Sequence, residues 1–500
     1  MKAICAIAII TAGMLPAQNG QSGAQWPMAG KSLSDNRNQP NETLIGPSNV
    51  ASLGVKWTFT TGGDVSATPA VAGSVFVPDW AGNLYGINSD TGAQIWSRTI
   101  ASYDGFPGAI SRVTPAVHKG DIIIGDRQAS SAHDGANVMA VNRGNGALHW
   151  ITKVDSHPAA IITGSPVVFN DVVFVGVASS EEGIATDPNY VCCTFRGSIV
   201  ALNAETGAIL WKTFTVPEGY SGGAVWQPVA IDPSRGSLFA GTGNNYSVPP
   251  SVLACQQQTP NAVCTSPDDH FDSALALDLN TGRIKWATGV QQFDTWTVAC
   301  LSNPPGANCF LPASPDFDFS GSGPNLVGNI VGMGQKSGIY WAFNPDTGKI
   351  IWSTAVGPGG TLGGIEWGTA SDGQRIYVAI TNNSHIQYTL VNGQTIDWGS
   401  WAALDVATGK ILWQTADPTP GALDMGAVSV ANGLVYAGTF TTGIMYGMDA
   451  KTGKILFSFS SGGSVIDSPS IANGVVYWGS GYKHIGGGTA NNKVFAFTVK

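Results

Sequence analysis

Ala403–Trp413 reads ALDVATGKILW and Ala342–Trp352 reads AFNPDTGKIIW. In each, alternating apolar residues enter a tight turn, pass a glycine, resume the alternation and end on tryptophan. This is the pattern of a β-hairpin, in which glycine supplies the positive φ that the reversal needs. Five more copies occur: Gly86–Trp96 (GINSDTGAQIW), Ala140–Trp150 (AVNRGNGALHW), Ala201–Trp211 (ALNAETGAILW), Ala276–Trp286 (ALDLNTGRIKW) and Gly447–Phe457 (GMDAKTGKILF). One hairpin cannot bury its own apolar face, so the copies must stack on one another.

The turn glycines are Gly92, Gly146, Gly207, Gly282, Gly348, Gly409 and Gly453, spaced 44 to 75 residues apart. The shortest spacing is close to one four-stranded blade, and the excess marks loops inserted into a constant frame. Ser468–Gly481 and the final strand Lys493–Val499 lack the Thr-Gly turn, while Gly54–Thr60 (GVKWTFT) at the other end can supply the strand they need. The predicted fold is all-β: an eight-bladed β-propeller of four-stranded antiparallel blades, closed by N- and C-terminal strands. A seven-bladed ring with a stray N-terminal strand is the alternative.

The 500 residues include 65 glycines and 16 tryptophans with little helical patterning, which suits one large turn-rich domain over residues 18–500. A formal charge of −9 without any Lys/Arg run argues against a nucleic-acid surface. No apolar run reaches the roughly 18 residues of a membrane span. Residues 1–17 (MKAICAIAIITAGMLPA) have the form of a secretory signal peptide cleaved near Ala17, which predicts a periplasmic or secreted protein. Beyond Cys5, six cysteines remain, and their layout predicts local pairs Cys255–Cys264, Cys300–Cys309 and Cys192–Cys193. Free thiols at the adjacent pair are the alternative, because sequence cannot fix connectivity. No CxxCH occurs, so an attached c-type haem is not expected.

Function on a propeller lies in loops and in departures from the repeat. Four departures stand out: Thr163-Gly164-Ser165-Pro166 leading to Ser179-Ser180-Glu181-Glu182; Trp226 leading to Gly241-Thr242-Gly243-Asn244-Asn245; Pro315-Asp316-Phe317-Asp318-Phe319-Ser320-Gly321; and Gly334-Gln335-Lys336-Ser337-Gly338. Singly these read as solvated loops, turn formers or caps. Together, oxygen donors of mixed charge from separate strands suit a hard cation such as Ca²⁺. An aspartate among phenylalanines suits a tuned general base, and a tryptophan beside it offers a flat face for a planar cofactor.

The hairpin repeat resembles that of the quinoprotein alcohol dehydrogenases, eight-bladed propellers that hold pyrroloquinoline quinone (PQQ) and Ca²⁺. Offsets match as well as residue types: Thr163 precedes Glu181 by 18 residues, and Trp226 precedes Asn244 by 18. The resemblance implies Glu181, Asn244 and Asp318 as metal ligands, with Asp318 also the catalytic base. It further implies Lys336 as the cation beside the reactive quinone carbonyl, and Arg112, Thr163, Trp226 and Lys336 as cofactor contacts. Ser320 stands where lanthanide-using relatives carry a second Asp, which favours Ca²⁺. Ser179–Glu182, Cys192–Gly197 and Trp26–Gly30 are most similar to polyvinyl-alcohol dehydrogenases.

The implied activity is oxidation of alcohols, secondary ones in particular and polyvinyl alcohol among them. Hydride would go to PQQ and electrons onward to a separate acceptor, a periplasmic cytochrome c. Tyr246, Trp296 and Phe310, on the insertions between Asn244 and Asp272 and between Val290 and Pro324, are expected to shape the substrate mouth. A non-catalytic secreted propeller scaffold and a PQQ-dependent sugar dehydrogenase are the competing readings.

Overall fold

The computed structural model describes residues 24–128, 135–312, 316–319 and 321–500. The signal peptide expected over residues 1–17, Cys5 and Ser320 lie outside them. Among the described residues, eight blades of four antiparallel strands follow one another along the chain, two of which carry a fifth, short strand. We number these blades 1–8 by their innermost strands: Ala70–Ala72, Ala116–His118, Val167–Phe169, Ala230–Asp232, Pro324–Val327, Ala370–Ser371, Val428–Ala431 and Ser470–Ala472. Blade 8 is closed as predicted, its outer strand Leu53–Thr60 pairing antiparallel with Lys493–Val499. The eight-bladed expectation holds over the seven-bladed one.

The repeat motif is the joint between blades. The Trp96 indole N–H donates to Arg143 O of the next blade at 2.9 Å, Trp150 to Ala204 O at 2.9 Å, and Trp286 to Pro345 O at 2.9 Å. Trp211, Trp352 and Trp413 repeat the contact on Leu279, Val406 and Ala450. Trp57 of the closing strand does the same to Ser89 O of blade 1. Phe457 has no N–H to give and instead meets Phe497 of blade 8 edge-on.

The turn glycine has two reasons to be glycine. Gly282 sits at φ 70°, and a Cβ there would lie 2.5 Å from Cε3 of the Trp211 ring docked against it. A threonine two residues after the tryptophan completes the joint, as where Thr213 Oγ1 donates to Gly282 O at 2.7 Å.

The segment before the closing strand has a role that sequence reasoning did not assign. Backbone carbonyls of Leu33, Ser34, Asn36 and Arg37 accept from Ile231, Leu326, Ser371 and Val430, in the innermost strands of blades 4, 5, 6 and 7. Trp26 bridges Val71 of blade 1, and Pro27 O accepts from Val117 of blade 2. This chain end is therefore threaded across six innermost strands, and it satisfies backbone groups that would otherwise be buried unpaired.

Gly282→Ala is expected to lose about 2–4 kcal/mol, from left-handed strain plus overpacking against Trp211. A melting temperature within a degree of wild type, measured by near-UV circular dichroism, would refute this account of the joint.

Candidate functional site

Two equivalent positions in the blades build one cavity of about 400 Å³. The first lies four residues before the innermost strand, which gives Arg112 in blade 2, Thr163 in blade 3, Trp226 in blade 4 and Glu366 in blade 6. The second lies two or three residues past the second strand: Trp80 after Ser74–Pro78, Arg127 after Asp121–Gly125, Glu182 after Val172–Ser179, Asn244 after Ser237–Gly241, Lys336 after Ile330–Gly334 and Tyr482 after Val475–Ser480. Nine of these ten line the cavity, and Trp80 stands behind them against the two arginines. Propeller symmetry alone therefore brings together residues that are hundreds of positions apart.

Lys336 stands at one end. Its Nζ lies 2.9 Å from Asp316 Oδ2 and 3.0 Å from Asp318 Oδ2, and 5.7 Å from the centre of the Trp226 ring. Asp318 Oδ1 accepts the backbone N–H of Asn244 at 2.8 Å. The Asn244 side-chain NH₂ is committed to Asn245 O and Trp296 O, which leaves its carbonyl oxygen as the group to offer the cavity. Burial would strip Lys336 of its proton, but Asp316, Asp318, Glu366 and Glu182 outweigh it and hold the ammonium well above its usual range. Burial likewise pushes Glu182 and Glu366 up to about 7 each against the pull of Lys336. Asp316 rises well above the carboxylate range for the same reason, and its Oδ1 is buried without a hydrogen-bond partner.

Four carboxyl groups share one ammonium, an excess of negative charge that either protonation or a bound cation would offset. The donors are all oxygen, which fits a hard divalent ion. The two indoles Trp226 and Trp367, 5.7 Å apart and edge-on, fit an aromatic guest beside it.

The opposite end is basic. Arg112 lies 4.4 Å over Trp367 and donates to the Tyr482 hydroxyl at 3.4 Å, and both Arg112 and Arg127 face the Trp80 ring, at 5.5 and 5.0 Å. His484 stacks on Trp80 at 3.6 Å.

Asn244, Asp318, Lys336, Trp226, Thr163 and Arg112 thus share one cavity, and Tyr246 and Trp296 line it while Phe310 does not. Glu181 is placed differently from these residues and does not line the cavity. Its Oε1 accepts the Tyr190 hydroxyl at 2.8 Å and Thr194 N at 2.9 Å, and its Oε2 accepts Phe195 N at 2.9 Å. Those donors consume its charge in anchoring the loop, and the neighbouring Glu182 faces the cavity instead. The short helix Glu181–Ile184 explains the exchange, because consecutive helical residues point about 100° apart.

Sequence reasoning also passed over Glu366, Trp367, Arg127 and Trp80. Glu366 and Trp367 carried a signal, being the large residues in an otherwise glycine-rich run, Gly357–Gly368. Trp367 pays for that position with a φ of 61°, rare for a bulky residue.

The insertions are stapled around the mouth. Cys255–Cys264, Cys300–Cys309 and Cys192–Cys193 are bonded as expected. Asn308 Nδ2 ties the 300–309 loop to the carbonyls of Ala185, Asp187 and Tyr190.

Comparison with known proteins agrees with this architecture. The PQQ_2 family, described as outer membrane protein assembly factor BamB, matches residues 49–189, 177–400 and 397–499. A polyvinylalcohol dehydrogenase of a Pseudomonas species is 29% identical over 94% of this chain and 75% of its own length. One from Sphingopyxis is 29% identical over 93% and 75%. Among solved structures, a quinohemoprotein alcohol dehydrogenase of Pseudomonas putida superposes with a TM-score of 0.70 at 18% identity, covering 95% of this chain and 80% of that one. The chain belongs to the PQQ_2 family, and over most of its length it is similar to quinoprotein alcohol dehydrogenases.

Proposed function

We propose that this protein oxidises secondary alcohols, the repeated hydroxyls of polyvinyl alcohol among them, to ketones, with PQQ and Ca²⁺ bound in the cavity. The observation that carries the reading is Asp318, a buried carboxylate gripped by the Asn244 N–H and the Lys336 ammonium, in a chamber acidic at one end and basic at the other. When bound, PQQ supplies the hydride acceptor, and the divalent ion supplies Lewis acidity toward its carbonyl.

Glu182, Asn244 and Asp318 are the residues we assign to the cation. Arg112, Thr163, Trp226 and Lys336 are those we assign to the cofactor. Asp318 takes the proton of the substrate hydroxyl. Lys336, held charged by its carboxylates, stabilises negative charge where it develops at that end of the chamber. Trp226 and Trp367 fix a flat guest in orientation, and the stapled insertions limit water.

The loops bordering the mouth expose Val191 at 87% and Leu301 at 62%, apolar contacts that suit a hydrocarbon-backed polymer. Electrons then pass to a separate acceptor, for which a cytochrome c in the periplasm is our assignment. A scaffold would have no use for carboxylates buried around a lysine, a costly arrangement that a bound cation relieves.

Apoprotein given PQQ and Ca²⁺ should reduce an artificial dye when supplied with 2-propanol, and Asp318→Asn should retain PQQ while turnover falls about 10²–10⁴-fold. Wild-type protein that does not take up PQQ would return the scaffold reading.

The two adjacent glutamates should separate cleanly. Glu182→Gln is expected to raise the Ca²⁺ concentration for half-maximal activity at least about tenfold with little change in apoprotein melting. Glu181→Gln is expected to lower the melting temperature, since it weakens charge-assisted bonds worth about 1.5–3 kcal/mol each. The reverse pattern, read from a Ca²⁺ titration and a thermal melt, would restore Glu181 as the ligand.

A further inference from the structure

Arg127 has no assigned role, and three observations about it converge. It occupies, in blade 2, the position past the second strand that Lys336 and Asn244 occupy in their own blades, so its side chain is delivered to the cavity by the same geometry. Its backbone is held there by the short pairing of Arg127–Gln128 with Ala109–Ile110, in which Arg127 sits opposite Ile110, two residues before Arg112.

Among the described residues no carboxylate pairs with Arg127; the charged and polar groups that bear on it are Arg112, Tyr482 and His484, and its Nε is buried without a hydrogen-bond partner. Burial and the adjacent Arg112 together push it down to about 10. The Trp80 face offers it a cation–π contact at 5.0 Å, but Arg112 uses the same ring at 5.5 Å. Two guanidinium groups on one indole repel each other, and aromatic faces supply no hydrogen-bond acceptors for their N–H groups.

Arginine presents a planar fork of donors that matches a carboxylate. A guest carrying two separated carboxylates would satisfy both forks and cancel their repulsion. PQQ carries three carboxylates on a rigid ring system, and the acidic end of the chamber repels them toward the basic one.

We propose that Arg127 is a second anion clamp for the cofactor, taking one carboxylate of PQQ while Arg112 takes another. The inference rests on the reading that this cavity binds PQQ. It makes Arg127 a binding residue that the free protein tolerates at a cost, so its removal should have opposite effects on the empty and loaded states.

The test is binding to apoprotein, followed by quenching of tryptophan fluorescence, since Trp226, Trp296 and Trp367 all line the cavity. Arg127→Gln should weaken PQQ about 10- to 100-fold, the loss expected for one charge-assisted contact. Arg127→Lys should recover part of it. The apoprotein of Arg127→Gln should melt at or above the wild-type temperature, because a repelling charge is gone, while the upward shift on adding PQQ shrinks.

Arg127→Gln protein that binds PQQ within twofold of wild type would overturn the clamp and leave the cofactor reading standing. So would an apoprotein melt several degrees lower, which would make Arg127 a structural residue. Wild-type protein that fails to quench with PQQ would overturn both.

Discussion

The docking of an indole onto the next blade's glycine turn is the contact on which the rest of the structure depends. Each joint combines a hydrogen bond from an indole N–H to a carbonyl, a ring packed where a side chain would otherwise stand, and usually a threonine hydroxyl closing the edge. Because seven of eight joints use the same parts, the angle between neighbouring blades is nearly constant. A constant angle is what closes a ring. The joint formed by Phe457 lacks the N–H, and it falls between blades 7 and 8, where the chain's two ends meet and the strand Leu53–Thr60 adds a full ladder of backbone bonds.

A nearly constant angle also explains how much of the site could be read from sequence. Arg112, Thr163, Trp226 and Glu366 each precede an innermost strand by four residues, and in these four blades that offset aims the side chain at the cavity. Thr163 and Trp226 were found through family offsets and Arg112 through a resembling motif, and the four-residue rule would have found Glu366. Asn244 and Lys336 were legible because strand ends are short and rigid there.

The facing of Glu181 and Glu182 was not legible because the strand Val172–Ser179 ends in a helical turn. Rotation along that turn decides which of two identical side chains faces the cavity, and spacing carries no record of it. The threading of Leu33–Arg37 across blades 4 to 7 was illegible for a related reason. Its contacts are made by backbone carbonyls, which leave no side-chain pattern behind.

The chamber assembled this way is a dipole in shape and in charge. Carboxylates and Lys336 come from blades 3 to 6, and the arginines from blade 2, facing Trp80 of blade 1 and Tyr482 of blade 8. Neither end is comfortable alone, since burial drives the acids toward neutrality and Arg127 toward losing its proton. Left-handed backbone at Asp316 and Trp367, φ 65° and 61°, adds strain of order 1–3 kcal/mol at each. These penalties fall on the free protein and are relieved by a guest whose charges complement both ends. Rigidity makes that arrangement selective: the docked blades hold the acidic and basic groups apart, so a small anion or a lone cation can satisfy one end only.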